Sequence, residues 1–284
     1  MKISEVIEIC KRNCKGYGII DDNKTRDQVL YGEIDKERTG IVTTVFASYD
    51  VIKQASDSEL GANLVITHES CFWNHGDQID WLSENETFKP KKKLLDDTGV
   101  TVWRDHDYIH SGVLHDNEYV DGIFYGLAQE LGWGKYIIDC QNGMPQFYQI
   151  PKQPTRVVAQ YLMEKMGLKG LKTMGDLEGY TEKIYVPLHI FGQQDNQIIS
   201  TIEEKNIDTI LTMEMIDFTV ATYMRDSAQA GLNKRVFAAG HFNVEEPGMK
   251  WFGEKHLPQL LLDIKVKFIQ SGDAYNMLLR KYDD

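Results

Sequence analysis

The chain has 284 residues, of which 42% are hydrophobic and 26% are charged, a balance that is ordinary for a soluble globular protein. Its formal charge of −12 and its isoelectric point near 5.2 argue against a nucleic-acid partner, because such proteins need a concentrated basic surface. No apolar run approaches the roughly 20 residues of a membrane-spanning helix, so no membrane partner is expected. The acidic N-terminus is unlike a secretory signal, and we therefore expect a cytoplasmic protein.

Short strands alternate with amphipathic helices along the chain. The first part predicts strands at 41–47, 63–67 and 100–103 and helices at 51–59, 89–97 and 119–131. A helix at 155–166 follows, and the pattern restarts with strands at 184–188, 209–212, 236–239 and 266–269 and helices at 196–205 and 218–231. This alternation indicates parallel sheets with helical crossovers. We therefore predict two related α/β lobes, each a sheet flanked by helices, at residues 1–145 and 146–284.

Histidines collect directly after three of the predicted strands. In open α/β sheets, ligands bind beyond the C-terminal ends of the strands, so these positions are candidates for a site. The residues are His68 with Glu69, His106 and His110, and His241 with Glu245. Neutral imidazole and carboxylate are ligands that suit Zn, Mn, Fe or Ni. The pattern therefore predicts a metal site.

Each of these signals also has a plainer structural interpretation. A single histidine at a strand end is more often solvated or a helix cap, and two histidines four residues apart also arise by chance. Glu245 can cap a helix that starts near Pro247. The coincidence of three such segments at strand ends favours metal binding over these alternatives. The spacing of Cys10 and Cys14 predicts two buried thiols on one helix face.

The segments ANLVITHE, DHDYIH and AAGHFNVEEPG resemble the three signature segments of a dinuclear-metal-centre family. That family is known as the GTP cyclohydrolase I type 2 homologues, or NGG-interacting-factor-three-like proteins. The resemblance runs over most of the chain. It implies two intermingled α/β lobes with a metal cleft between them, two divalent ions in that cleft, and a ring-shaped homohexamer.

The sequence departs from the family's pattern at two ligand positions. Glu69 stands where the family's THHP segment has its second histidine, and His110 stands where the AHTNLD segment has its aspartate. The resemblance implies that one ion takes Glu69, His110 and Glu245. The other ion would take His68, His241 and the shared Glu245. Because the two exchanges leave one imidazole and two carboxylates at the first ion, they indicate a variant subfamily with a working site.

Other polar residues near these segments are candidates for contact with a substrate. They are His75, Arg104 and Asp107, while Glu214 can line the same cleft. His106 is a candidate partner that orients a ligand, or an alternative ligand. Each of these residues can equally be a loop anchor or a surface residue.

Two metal ions that share a carboxylate suit hydrolysis, because they activate water and clamp the attacking and leaving oxygens. We therefore predict a metal-dependent hydrolase that acts on a small-molecule substrate. The alternative is a non-enzymatic metal carrier or binding scaffold, which would release its ion readily and show no turnover. The sequence assigns no catalytic residue, no substrate and no native metal.

Overall fold

The structure is a computed structural model that describes residues 1–57, 59–74, 78–141 and 143–276. The α-helices are α1 (Ile3–Arg12), α2 (Tyr49–Ala55), α3 (Phe88–Thr98), α4 (Asp107–Ser111), α5 (Gly122–Glu130), α6 (Thr155–Met166), α7 (Asp195–Glu204), α8 (Val220–Gln229), α9 (His241–Trp251) and α10 (Leu257–Leu260). The strands are β1 (Val29–Tyr31), β2 (Ile41–Thr44), β3 (Leu64–Thr67), β4 (Thr101–Arg104), β5 (Val113–His115), β6 (Glu118–Val120), β7 (Ile137–Gln141), β8 (Met144–Pro154), β9 (Lys172–Gly175), β10 (Tyr180–Tyr185), β11 (Thr209–Thr212), β12 (Arg235–Ala238) and β13 (Val266–Phe268). As far as the described residues go, none of these helices has both the length and the apolar character that crossing a lipid bilayer requires.

The chain forms two compact units. Unit 1 comprises Met1–Leu127 and Glu245–Ser271, and unit 2 comprises Ala128–Val244 with the described residues after Ser271. The sequence analysis placed one boundary between residues 145 and 146. In the structure, unit 1 ends earlier, at Leu127, and it also includes the later segment Glu245–Ser271. The reason is that β13 pairs in parallel with β2, so it completes the first sheet and not the second, where its place in the sequence had put it.

Unit 1 is built on a five-stranded sheet in the order β1-β4-β3-β2-β13. The last four of these strands run parallel, and β1 is antiparallel to β4. Every residue of β2, β3 and β4 is buried, as expected for strands that are covered on both faces. Residues of α2 and α3 pack against the sheet in one hydrophobic core. The carboxyl ends of β2, β3, β4 and β13 therefore meet at one edge.

Unit 2 contains a six-stranded sheet in the order β7-β8-β10-β11-β12-β9. Its central strands β10, β11 and β12 are parallel, whereas β7, β8 and β9 join it antiparallel. Helices α7 and α8 contribute to its core. The predicted α/β fold is confirmed, but the prediction of parallel sheets fails for β1 in unit 1 and for β7, β8 and β9 in unit 2, which pair antiparallel. The edge strand β7 is largely exposed, so its sequence lacks the continuous apolar run of a buried strand.

Two other predicted details are settled by the structure. Cys10 and Cys14 are buried, as predicted, and Cys71 is buried too, whereas Cys140 is exposed. The prediction that Cys10 and Cys14 share a helix face is wrong, because α1 ends at Arg12 and Cys14 lies beyond it. No helix starts near Pro247, because this proline lies inside α9, which begins at His241.

The position of α9 in unit 1 depends on a close approach to α5. A Cβ atom at Gly248 would lie 2.3 Å from the carbonyl oxygen of Ile123, and one at Gly126 would lie 2.8 Å from the Cα of Gly248. Contacts this short leave no room for a side chain. Glycine at these two positions therefore allows α5 and α9 to touch. This contact fixes the position of α9 and hence that of Glu245, which α9 carries.

We expect Gly248→Ala to lower the free energy of unfolding by about 1–3 kcal/mol, because the added methyl group meets backbone atoms that cannot rotate away. Chemical denaturation measures this change. Gly134→Ala is the matched control, because its Cβ would meet only the flexible end of Gln129. Equal stability of the two variants would contradict the proposed close contact.

Candidate metal centre

His68 follows β3 and is fully buried in unit 1. Its Nδ1 atom lies 3.1 Å from the carbonyl oxygen of Asp105. Because a carbonyl oxygen only accepts hydrogen bonds, Nδ1 carries the proton and Nε2 carries the lone pair. Nε2 has no hydrogen-bond partner among the described residues and lies 3.5 Å from Oε1 of Glu245. A buried lone pair without a donor is the arrangement expected of a metal ligand.

The short helix α4 carries His106 at its N-cap and His110 in its last turn. The buried carboxylate of Asp27 holds its N-terminus. One oxygen of Asp27 accepts from the backbone N–H groups of His106 and Asp107, at 2.6 and 3.0 Å, and the other accepts from that of Tyr108, at 2.7 Å. Asp27 thus supplies acceptors that the helix itself cannot provide.

His110 is oriented by the buried carboxylate of Asp121, 2.9 Å from its Nδ1 atom. The other oxygen of Asp121 accepts from the backbone N–H groups of Ile123 and Phe124 at the start of α5. Asp121 therefore caps one helix and sets the histidine on another. A carboxylate that accepts from Nδ1 leaves Nε2 free to bind a metal, which is the usual arrangement behind a metal-binding histidine.

His106 is oriented in the same way by its neighbour in sequence. Its Nδ1 atom lies 2.9 Å from Oδ1 of Asp107. The second oxygen of Asp107 accepts from the Thr25 hydroxyl at 2.7 Å and from the Arg26 backbone at 2.9 Å. Asp107, a predicted substrate contact, thus anchors the loop before β1.

The three imidazole rings form one group. The rings of His68 and His106 stack with centroids 4.6 Å apart, and the ring of His110 lies edge-on to both at 4.9 Å. One nitrogen from each ring lies within 4.8 Å of the others, and His68, Glu69 and Glu245 form an overlapping set by the same measure. All three Nδ1 atoms face oxygen acceptors, so in the neutral form of each ring Nε2 carries the lone pair.

This donor set fits a divalent ion of the Zn, Fe, Mn or Ni type, because it combines imidazoles with carboxylates. The buried lone pair on His68 Nε2 supports the fit. Since its Nδ1 is already occupied, His68 has one nitrogen to offer and cannot bridge two ions.

The electrostatics of the group follow from burial and from its carboxylates. Burial lowers the pKa of His106 to about 4, against the opposing effect of Asp107. For His110, burial lowers the pKa, but the charges of Asp121 and Glu245 outweigh it and raise the pKa to about 9. Without a metal ion, the carboxylates around His110 thus favour a positive charge at its place.

Unit 2 contains a second histidine–carboxylate group, at the carboxyl edge of its parallel strands. Oε2 of Glu214 accepts from Nδ1 of His189 at 2.7 Å, and Oε1 accepts from Nδ1 of His241. Burial raises the pKa of Glu214, but its bonds to the two histidines outweigh this effect and lower it to about 2. Leu188, directly before His189, has a φ of 68°, a left-handed conformation that costs a bulky residue roughly 1–3 kcal/mol.

The remaining predicted residues are placed as follows. Arg104 is buried at the end of β4, where its Nε donates to the carbonyl oxygen of Arg26. His75 lies outside the described residues. His241 belongs to unit 2 and contacts Glu214 there, and its assignment to the same centre as His68 stays a prediction.

Sequence reasoning did not single out Asp27, Asp121 or His189. Asp27 precedes a strand that the pattern did not predict, so nothing marked it as a cap. Asp121 was hidden because its segment was predicted to be helical. Of these three residues, only His189 could have been found from the sequence, because it directly follows the predicted strand 184–188.

The fold and these groups define a class, an α/β protein with histidine–carboxylate clusters at the carboxyl edges of its sheets that can hold metal ions. Residues 1–274 match the family described as Duf34/NIF3 (NGG1p interacting factor 3). The chain belongs to this family, as its signature segments predicted. Among curated proteins, none matches the chain.

Solved structures of similar fold cover almost the whole chain. The protein ybgI, of unknown function, is 20% identical with a TM-score of 0.65, over 97% of this chain and 100% of its own. Hypothetical protein SA1388 of Staphylococcus aureus is 14% identical with a TM-score of 0.66, over 99% of each chain. Reduced HcgD from Methanocaldococcus jannaschii is 18% identical with a TM-score of 0.59, over 95% of this chain and 97% of its own. At these identities the likeness shows the fold alone.

We expect Asp121→Asn to weaken metal binding by about 10–100-fold, because the amide no longer fixes the proton on Nδ1 of His110. Asparagine keeps an oxygen that can still cap α5, so the fold should persist. Equilibrium dialysis with elemental analysis measures the affinity. Asp116→Asn, at an exposed carboxylate, is the control and should bind metal as the wild type does. Unchanged affinity in Asp121→Asn would rule out its role in orienting His110.

Proposed function

We propose that this chain is a metal-dependent hydrolase of a small molecule, with its metal held in unit 1. The ligands are drawn from His68, His106, His110, Glu69 and Glu245. The support is the set of three imidazoles whose Nδ1 atoms all face oxygen acceptors. Such preorganisation leaves three nitrogen lone pairs in one place, as in sites where three protein ligands hold a catalytic ion and leave a position open.

The group is buried on one side and partly exposed on the other. The side chains of His68 and Glu245 are 0% and 3% exposed, whereas those of His110 and Glu69 are 22% and 26% exposed. One side of the group is thus closed, and the other is open to a small molecule. We propose that a substrate approaches the ion from the partly exposed side.

A divalent ion at this place supplies Lewis acidity, which polarises a carbonyl or phosphoryl group and makes water a stronger nucleophile at neutral pH. The chain's own residues supply position and charge. Glu69 lies on the open side, with Oε1 3.9 Å from Nε2 of His106, so these two residues are placed to face a substrate. Glu245 lies on the closed side, where its charge offsets that of the ion. For a pair of ions, Glu245 is the carboxylate we propose as shared.

The metal ligands are tested by removing one imidazole at a time. We expect His68→Gln to lose most of the bound metal, because His68 is the imidazole of this group that is fully buried. Elemental analysis of protein purified without added metal measures the content. His115→Gln removes an imidazole from outside the group and is the matched control. A wild-type metal content in His68→Gln would rule out the proposed metal centre.

The hydrolase is tested with protein that has been stripped by a chelator and then reloaded with zinc, iron or manganese. A panel of small esters, cyclic amides and phosphoesters is offered to each form. We expect turnover of at least one class that disappears on stripping, returns on reloading, and falls in Glu69→Gln with metal content retained. Stoichiometric metal binding without turnover of any class, together with rapid transfer of the ion to a chelator, would contradict the hydrolase and favour a metal carrier.

A further inference from the structure

Unit 2 contains a small cavity that none of the candidate metal ligands lines. Its volume is about 250 Å³, and its walls come from the turn after α5, from β8 and from the first half of α6. All of the described lining residues belong to unit 2, and no histidine, aspartate or glutamate is among them. The cavity is therefore separate from both histidine–carboxylate groups.

The aromatic wall of the cavity depends on the way α5 ends. Gly132 has a φ of 63°, a left-handed conformation that suits glycine and ends the helix. The backbone N–H of Trp133 then donates to the carbonyl oxygen of Ala128 at 2.7 Å, which closes the turn. The ring of Trp133 packs against Tyr148 of β8, with centroids 5.6 Å apart. It also lies nearly parallel to the ring of Tyr161 on α6, with centroids 6.5 Å apart and planes 16° from parallel.

The surface of the cavity suits a flat, apolar ring. Trp133, Tyr136 and Tyr161 contribute aromatic rings to it, and Val157 and Val158 contribute methyl groups. Val157 is 51% exposed, so solvent reaches this wall. Apolar and aromatic walls are typical of small-molecule sites, and those that hold drug-sized ligands have roughly 300–1,000 Å³. A cavity just below that range indicates a ligand of one or two rings.

The cavity also presents hydrogen-bond donors. Trp133 is 5% exposed, yet its indole N–H donates to none of the described residues, although a buried indole usually has a partner. The side-chain amide of Gln153 likewise has no partner in the described part of the chain. Lys135 adds a positive charge, with Nζ 5.0 Å from the ring centroid of Tyr136, and it forms no ion pair with a described carboxylate. A ligand with an anionic oxygen would satisfy these donors.

We propose that this cavity binds a small aromatic carboxylate. Its ring lies against the aromatic and valine side chains, and its carboxylate accepts from Lys135 and from the indole N–H of Trp133. The charge of the wall supports an anion, because the chain as a whole carries −12 and yet no acidic residue lines the cavity. Hydrogen bonds between an ammonium and a carboxylate are among the stronger ones in proteins. The family resemblance gives no role to these residues, and the site does not depend on the proposed hydrolase.

A contact with a second copy of the chain is the competing explanation. An apolar side chain from another copy could fill the space between the rings. It would also cover the ammonium of Lys135 and the indole N–H of Trp133 without offering either an acceptor, which is unfavourable for a charge above all. The unpaired donors therefore favour an anionic ligand over an apolar protein contact.

The first test uses the full-length protein labelled with fluorotryptophan and two probes, benzoate and naphthoate. The chain has five tryptophans, so fluorine NMR should show five signals, and Trp133→Phe identifies that of Trp133. At least one probe should shift this signal with a dissociation constant below about 1 mM, a modest affinity for so small a ligand. The shift should persist in His68→Gln, and its loss there would assign the probe to the centre in unit 1 and overturn the proposal. No shift with either probe would also overturn it.

The second test examines the charge of the ligand. Lys135→Gln should weaken the probe that binds at least about tenfold, because a charged hydrogen-bond donor is lost, while the affinity for its neutral amide should stay the same. Lys169→Gln removes an exposed lysine of unit 2 that does not line the cavity, and it is the matched control. Equal affinity for the carboxylate in Lys135→Gln and the wild type would exclude a site for an anion.

The third test fills the cavity. Val157→Phe adds volume at a half-exposed position of α6, so the fold should persist, and the melting temperature checks that it does. We expect this variant to lose probe binding. Unchanged probe affinity together with an altered oligomeric state, measured by light scattering, would identify the cavity as a contact between copies and exclude the ligand site.

Discussion

The centre in unit 1 depends on the buried carboxylate of Asp27. Helix α4 has only five residues, too few for stability on its own. Asp27 accepts from three successive backbone N–H groups at its start and so holds the helix in place. Burial raises the pKa of Asp27, while these hydrogen bonds oppose that rise. Without this anchor, two of the three imidazoles in the centre would lose their fixed positions.

The histidine–carboxylate groups of unit 1 and unit 2 both pair imidazole Nδ1 atoms with oxygen acceptors, but only in unit 2 do two imidazoles share one acceptor residue. In unit 1, each imidazole has its own acceptor for Nδ1, and the acceptors come from Asp105, Asp107 and Asp121. In unit 2, one carboxylate serves two imidazoles. Separate acceptors hold each ring independently, whereas a shared acceptor couples the two rings.

The sequence predicted the parts of the fold that obey simple periodicity. The parallel strands β2, β3, β4, β11 and β12 were found because each is a short apolar run that ends in polar residues. The edge strands β1, β7 and β9 were missed because most of their residues are partly or fully exposed, whereas the edge strand β13 was found. Strand β6 was hidden within a predicted helix because Tyr119 and Val120 continue an apolar pattern. The first residue of α9 was missed because Pro247 was read as a start signal, whereas the helix begins after Gly240, whose φ is 106°. The ligand candidates were found because they directly follow strands, but the residues that orient them are distant in sequence and carry no local signal.

The distribution of cysteines has a practical consequence for experiments on this molecule. Three thiols are buried, and burial raises the pKa of both Cys10 and Cys14, which keeps them protonated and slow to react. Cys140 is exposed on the edge strand β7. A maleimide dye should therefore attach selectively at Cys140, so that unit 2 acquires a single fluorescent reporter without any engineered substitution.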